Sequence, residues 1–130
     1  MNFASQYIGI PWRSNGRTIK GFDCWGLVIH VLYKHFGIRI EDSITADGSR
    51  TVERVRAFIH QRDTKMDDWK LIKEPGDGDI VVMGNRHGVP THCGIYIDNG
   101  VLHCEEGIGC VFEVVSMIRW PRLTFYRYQT

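Results

Sequence analysis

The sequence predicts an α+β fold in which N-terminal helices pack on a mostly antiparallel β-sheet. In the first half, apolar residues recur at helical spacing; from Trp69 onward, short apolar runs alternate with turn signals. Helices come first and a mostly antiparallel sheet follows, which is an α+β order. At 130 residues and 43% hydrophobic, the chain reads as a single domain, 1–130, large enough to bury a core without staples. It shows no repeat, linker or low-complexity segment.

Residues 2–8 fit a short helix ending at Gly9, and Ile10-Pro11-Trp12 reads as extended, because proline restricts its predecessor. A polar loop, 13–21, delivers the chain to a central helix with Asp23 as N-cap and Gly37 as C′ residue. Between those caps Cys24, Val28, Val31 and Leu32 form one apolar stripe. An irregular connection follows to about residue 50, and Val52, Val55, Phe58 and Ile59 mark a second amphipathic helix over about 50–61. Glu74 to Asp79 is a turn, and Ile80 to Met83 reads as a buried strand. His92 to Ile97 and Val101 to Cys104 read as strands flanking a hairpin at Asp98-Asn99-Gly100. Further strands are expected over 110–115 and 123–128, and the tail after Ser116 either packs the sheet edge or docks a partner.

Composition narrows the function classes. Sixteen basic and 15 acidic side chains give a net charge of +1, so no bulk field argues for nucleic acid or a membrane surface. No stretch reaches membrane-spanning length, and residues 1–6 lack the features of a secretory signal. The expectation is synthesis in the cytoplasm and delivery elsewhere only by another agent. Cysteines at 24, 93, 104 and 110 show no CxxC spacing; a disulfide framework is not expected, although a Cys104–Cys110 bridge across a hairpin stays open.

Cys24 falls in the first turn of the central helix, on its inward face. Unpaired N–H groups and the positive dipole end stabilise a thiolate there, the nucleophilic form. The competing reading is a small buried cysteine at the start of a core helix. A nucleophilic thiol needs a base, and the base needs an orienting partner. Among six histidines, only His92 and His103 lie on the hairpin beneath this helix. With Asn99-Gly100 as a strict two-residue turn, His103 faces Tyr96, four residues along from His92, a separation of roughly 13 Å. The pair therefore requires a longer loop, a bend or a bulge.

Gly9-Ile10-Pro11-Trp12, Gly21-Phe22-Asp23-Cys24-Trp25-Gly26-Leu27-Val28, Gly78-Asp79-Ile80-Val81, His92-Cys93-Gly94-Ile95-Tyr96-Ile97 and Val101-Leu102-His103 together resemble the successive motifs of the NlpC-type cell-wall cysteine peptidases. The likeness spans about residues 4–105. It implies a papain-like fold, a Cys24–His92–His103 triad, and cleavage of peptidoglycan stem peptides, typically between D-glutamate and a diamino acid. No metal or cofactor is implied. Trp12 stands where the family has a tyrosine that helps bind substrate and oxyanion, and an indole N–H donates but cannot accept. Trp25 replaces the usual serine, and Asp23 and Trp25 join Trp12 as candidate substrate or oxyanion residues. Cys93 replaces a small apolar residue and reads as a core side chain. The Asp-Cys-Trp-Gly-Leu version resembles a subgroup found in phage tail-tip proteins, implying a virion setting or delivery to the periplasm and wall, with other tail-tip proteins as partners.

Three alternatives stand beside this reading. His92, Cys93, His103, Cys104 and Cys110 are all possible zinc ligands, but adjacent strand residues point to opposite faces. A structural tail-tip component with little or no hydrolase activity fits the altered Trp12 and Trp25. A secreted antibacterial toxin of the same fold is the third.

Overall fold

A computed structural model of the chain describes residues 2–40, 68–88 and 90–129. The helix expected over 50–61, and the connection beyond Ile40, lie outside the described residues. In chain order the described elements are β1 (Arg17–Thr18), β2 (Gly21–Phe22), α1 (Cys24–Phe36), β3 (Trp69–Ile72), β4 (Ile80–Gly84), β5 (Pro90–Ile97), β6 (Gly100–Glu105), β7 (Gly109–Val114) and β8 (Arg122–Tyr128). The last six form one antiparallel sheet in the order β3-β8-β4-β5-β6-β7, and α1 packs on β5 and β6. The architecture is α+β, as expected.

The helix begins and ends where its caps demand. Asp23 accepts from the Gly26 N–H at 2.7 Å, and Gly37 closes the last turn in the left-handed region with φ 67°. Leu27, Val28, Val31 and Leu32 are fully buried. At roughly 1.5–3 kcal/mol each, their removal from water outweighs the few tenths that valine loses in helix propensity. The first turn is also pinned from outside. The Gly16 carbonyl oxygen lies against Gly26 so closely that a Cβ there would collide with it, and Arg17 bridges Gly16 O and the Asp23 carboxylate at 2.9 and 2.8 Å.

The structure differs from the sequence pattern in three places. Residues 2–8 make a 3-10 turn, Phe3–Gln6, capped by the Asn2 side chain, instead of a longer helix. Tyr7 then bonds His35 at 2.8 Å, and Phe3 stacks on that imidazole, tying the N-terminal segment to the end of α1. The loop 13–21 contains the short hairpin β1–β2. The tail does not pack the sheet edge: β8 lies inside the sheet, between β3 and β4, where Arg127 grips the buried Asp79 with two 2.8 Å bonds. Asp79 also accepts from Gly76 N–H, so the turn before β4 and the strand β8 share one carboxylate.

The sheet carries a core on each face. Ile80, Val82, Cys93, Ile95, Ile97, Leu102, Cys104 and Cys110 meet α1 and the N-terminal segment. Val81, Met83 and Val101 form a smaller core on the other face, covered by Tyr96, Ile118, Trp120, Leu123 and Phe125.

Candidate active site

The β5–β6 hairpin sets the site, and its turn is not where the Asn-Gly pair points. Ile97 pairs with Gly100, so the turn residues are Asp98 and Asn99, both left-handed at φ 49° and 63°. This moves the register by two residues and sets His103 opposite Gly94 rather than Tyr96. The imidazoles of His92 and His103 then meet diagonally, with no bend needed, and Nε2 of His92 lies 2.8 Å from Nδ1 of His103. Gly94 makes room for this: a Cβ there would stand 2.8 Å from His103 Cβ and 2.7 Å from Val101 Cγ1.

The chain of contacts extends one residue further than the sequence showed. On β7, Glu113 presents Oε1 to His103 Nε2 at 2.7 Å. A carboxylate only accepts, so His103 carries its proton on Nε2 and leaves Nδ1 bare. Nδ1 therefore accepts from His92 Nε2–H, which leaves Nδ1 of His92 as a free acceptor, the atom a base needs. Burial pushes the His103 pKa down, as does the neighbouring His92, while Glu113 and Glu105 pull it up. The net direction is down, so His103 is held as a neutral relay. Trp120 covers the outer imidazole, stacked on His92 with centroids 5.6 Å apart and 18° between planes.

Cys24 opens α1 and is 1% exposed, in the core between helix and sheet. Next to it in that core is Cys104, whose thiol contacts Phe22 O at 3.2 Å. Cys110, facing it across the strand pair, and burial push the Cys104 pKa far up, holding it as a thiol. None of the four cysteines is in a disulfide, and Cys104 and Cys110 are in register but unbridged. Alternation along β5 and β6 turns Cys93 and Cys104 toward α1, and His92, His103 and Gly94 toward the opposite face. The structure thus brings the two histidines together and sets Cys24 on the helix side of the sheet. At the His92 end of β5 the ladder with β4 shifts register between Met83, which pairs with His92, and Gly84, a bulge that increases the local twist beside His92.

The three accessory candidates all sit around the helix start. Asp23 is buried and spends one carboxylate oxygen on Gly26 N–H and Arg17; burial raises its pKa and Arg17 opposes that. Trp25 is 2% exposed, its ring part of the core. Trp12 is half-buried, held beside Phe22 by a parallel bridge. The strand segment around it is fixed at both ends: Gly9 and Ile10 pair with Cys110, and Pro11 O accepts from Phe22 N–H. Among the described residues, no three His, Cys, Asp or Glu side chains converge as metal ligands. Among the same residues, no helix is long and apolar enough to cross a membrane.

Over 96 residues, 74% of this chain, the sequence is 29% identical to the probable peptidoglycan endopeptidase LytE of Bacillus subtilis (strain 168). The chain spans 23% of the length of that protein. Its fold is similar to the NlpC/p60 domain of peptidoglycan hydrolase SagA, with a TM-score of 0.58 and 21% identity over 95% of this chain and 90% of that one. It is also similar to NlpC2 from Trichomonas vaginalis, with a TM-score of 0.66 and 18% identity over 98% of this chain and 45% of that one. The fold, the ordered motifs and a family match running over residues 9–120 lead to one assignment: the chain belongs to the NlpC/P60 family.

Proposed function

We propose that the chain is a cysteine peptidase that hydrolyses peptidoglycan stem peptides, at the bond between D-glutamate and a diamino acid. The observation that carries this reading is the Glu113–His103–His92 relay, 2.7 and 2.8 Å long, which leaves a bare imidazole nitrogen on His92. Family membership and the placing of Cys24 at a helix N-terminus support it further.

This mechanism requires the Cys24 thiol, on the helix side of the sheet, to meet His92 Nδ1 at the His92 end of β5; that nitrogen takes its proton, and the thiolate attacks the amide carbon. The backbone N–H of Cys24, with Trp12 beside it, stabilises the oxyanion. The His92 imidazolium returns its proton to the leaving amine, and the freed nitrogen then activates water to release the acyl group. His103 and Glu113 hold the tautomer throughout, while Asp23 and Trp25 act by fixing the helix start. The Asp23–Leu27 variant of the motif, similar to that of phage tail-tip proteins, supports a setting in a phage tail or another route to the wall.

Purified stem peptides digested with wild-type and Cys24→Ala protein, read by mass spectrometry, test the reading. Cleavage by wild type alone establishes the nucleophile, and the fragment masses name the bond. If neither cleaves and Cys24 resists a small alkylating agent, the cysteine is a core residue and a structural role replaces the hydrolase.

A further inference from the structure

Two thiols that the mechanism does not use face each other near the turn of the β6–β7 hairpin. Cys104 and Cys110 are directly opposite in the strand register, and both lie among the core side chains that meet α1. Cys110 donates its N–H to Ile10 O at 2.9 Å and accepts from Gly9 N–H at 3.0 Å, so both of its backbone groups face the N-terminal segment rather than β6. In an antiparallel ladder this makes Cys104 and Cys110 a non-hydrogen-bonded pair, the kind with the shorter Cα separation of about 4.5 Å. A disulfide needs about 4.4–6.8 Å between Cα atoms and side chains that point the same way. The register meets both conditions. Cys93, on β5, falls outside the β5–β6 register, which begins at Gly94–His103.

We propose that Cys104 and Cys110 are a disulfide-forming pair, closed when the β6–β7 hairpin assembles in the presence of a disulfide oxidant. Closure takes two exchanges. One cysteine, as thiolate, attacks the S–S bond of the oxidant and forms a mixed disulfide, releasing the first half as a thiol. The second cysteine then displaces the other half. One S–S bond forms, one breaks, and the oxidant leaves as two thiols carrying the two electrons and two protons. In the folded chain the thiols are 0% and 1% exposed, and the contact with Cys110 together with burial holds Cys104 protonated. Exchange needs a thiolate that the other sulfur can reach, so the closed hairpin reacts slowly and the assembling one quickly. The bridge has a place in the site as well. Cys104 follows His103 directly, and Cys110 lies three residues before Glu113. A bond between them fixes the β6–β7 register that sets Glu113 Oε1 against His103 Nε2.

The test refolds the reduced full chain from urea in mixtures of oxidised and reduced glutathione, blocks remaining thiols with an alkylating agent, and maps the cysteines by mass spectrometry. Cys104 and Cys110 are expected to be linked, with the loss of two hydrogens, while Cys24 and Cys93 carry the alkyl group. The bridged protein is expected to melt roughly 5–10 °C above the reduced one. Folded reduced protein in the same mixtures should close on the order of tenfold more slowly than refolding protein. The Cys110→Ala protein should show neither the bridge nor the shift, and the mapping of wild type decides the matter even if that variant fails to fold. Alkylation of all four cysteines at every glutathione ratio, a bridge from Cys104 to Cys93 or Cys24 instead, or a bridged protein that melts no higher than the reduced one overturns the proposal.

Discussion

His103 is wholly buried yet faces Glu113, a partly exposed carboxylate, across 2.7 Å. The ring therefore has one nitrogen committed to a permanent acceptor, and its other nitrogen must accept in turn. Replacing Glu113 by Gln keeps an acceptor but removes the charge that raises the His103 pKa. Turnover is expected to persist within about threefold, with the acidic limb of the pH–rate profile moving to lower pH. Glu113→Val removes the acceptor and frees the tautomer, lowering kcat on the order of tenfold or more. Nitrogen-15 shifts of the two imidazoles report the tautomers without any substrate. If they and the pH profile are unchanged in both variants, Glu113 is merely a surface residue.

Gly94 owes its identity to the imidazole opposite. Gly94→Ala forces a methyl into contact with His103 Cβ and Val101, costing about 1–3 kcal/mol by overpacking. Because the clash falls on His103 Cβ and the Leu102 carbonyl, β6 must shift, the His92–His103 bond lengthens, and alkylation of Cys24 and turnover fall together. Urea unfolding set beside the alkylation rate separates the two effects.

Gly26→Ala poses a contest of signs. Alanine gains about 1 kcal/mol of helix propensity, but its methyl meets the Gly16 backbone carbonyl, which cannot rotate away. Overpacking wins, and the variant is expected to lose about 2–3 kcal/mol, with the β1–β2 hairpin displaced. A stability equal to or above wild type in urea would refute this account of the helix start.

Acid should weaken the fold from the histidine range downward. Burial depresses the pKa of His103 below 6.5, and burial and Lys34 do the same for His30 and His35. Below 6.5 the unfolded chain takes up protons that the native rings refuse, so stability is flat above neutrality and declines as pH falls through this range. Asp23, whose pKa is raised, works in the opposite sense only lower down, in the carboxylate range. Urea midpoints measured on either side of 6.5 check the direction, and His103→Gln should flatten the slope.

How much of this was legible in the sequence follows from the range of each interaction. Helix α1 was readable because its signals are local: an N-cap, a stripe and a glycine stop. The histidines were readable as a pair but not as a contact. The Asn99-Gly100 dipeptide is the stronger turn signal, yet Asp98 and Asn99 take the left-handed positions, and Gly100 lies in the strand under the Phe112 ring. Glu113 was invisible because its role depends on the β6–β7 register, and Trp120 because a loop carries it back over β5. Strands β1 and β2 are two residues each, too short for any period to register. Strand β3, an edge with exposed Lys70 and Leu71, does not alternate cleanly.

The interior position of β8 has a consequence for the order of assembly. Among the described residues, strand β3 pairs with nothing in the sheet but β8, and β4 lacks one neighbour until β8 arrives. A nascent chain that has emerged only as far as β7 already holds the thiol, both imidazoles and Glu113. It still lacks the Trp120 cover and the Arg127 clamp on Asp79. Pairings of such long sequence separation close late and slowly. A truncation before Trp120 is thus expected to leave β3 without its sheet partner, one edge of β4 open and an uncapped imidazole, so that during translation the machinery is made before it is able to work.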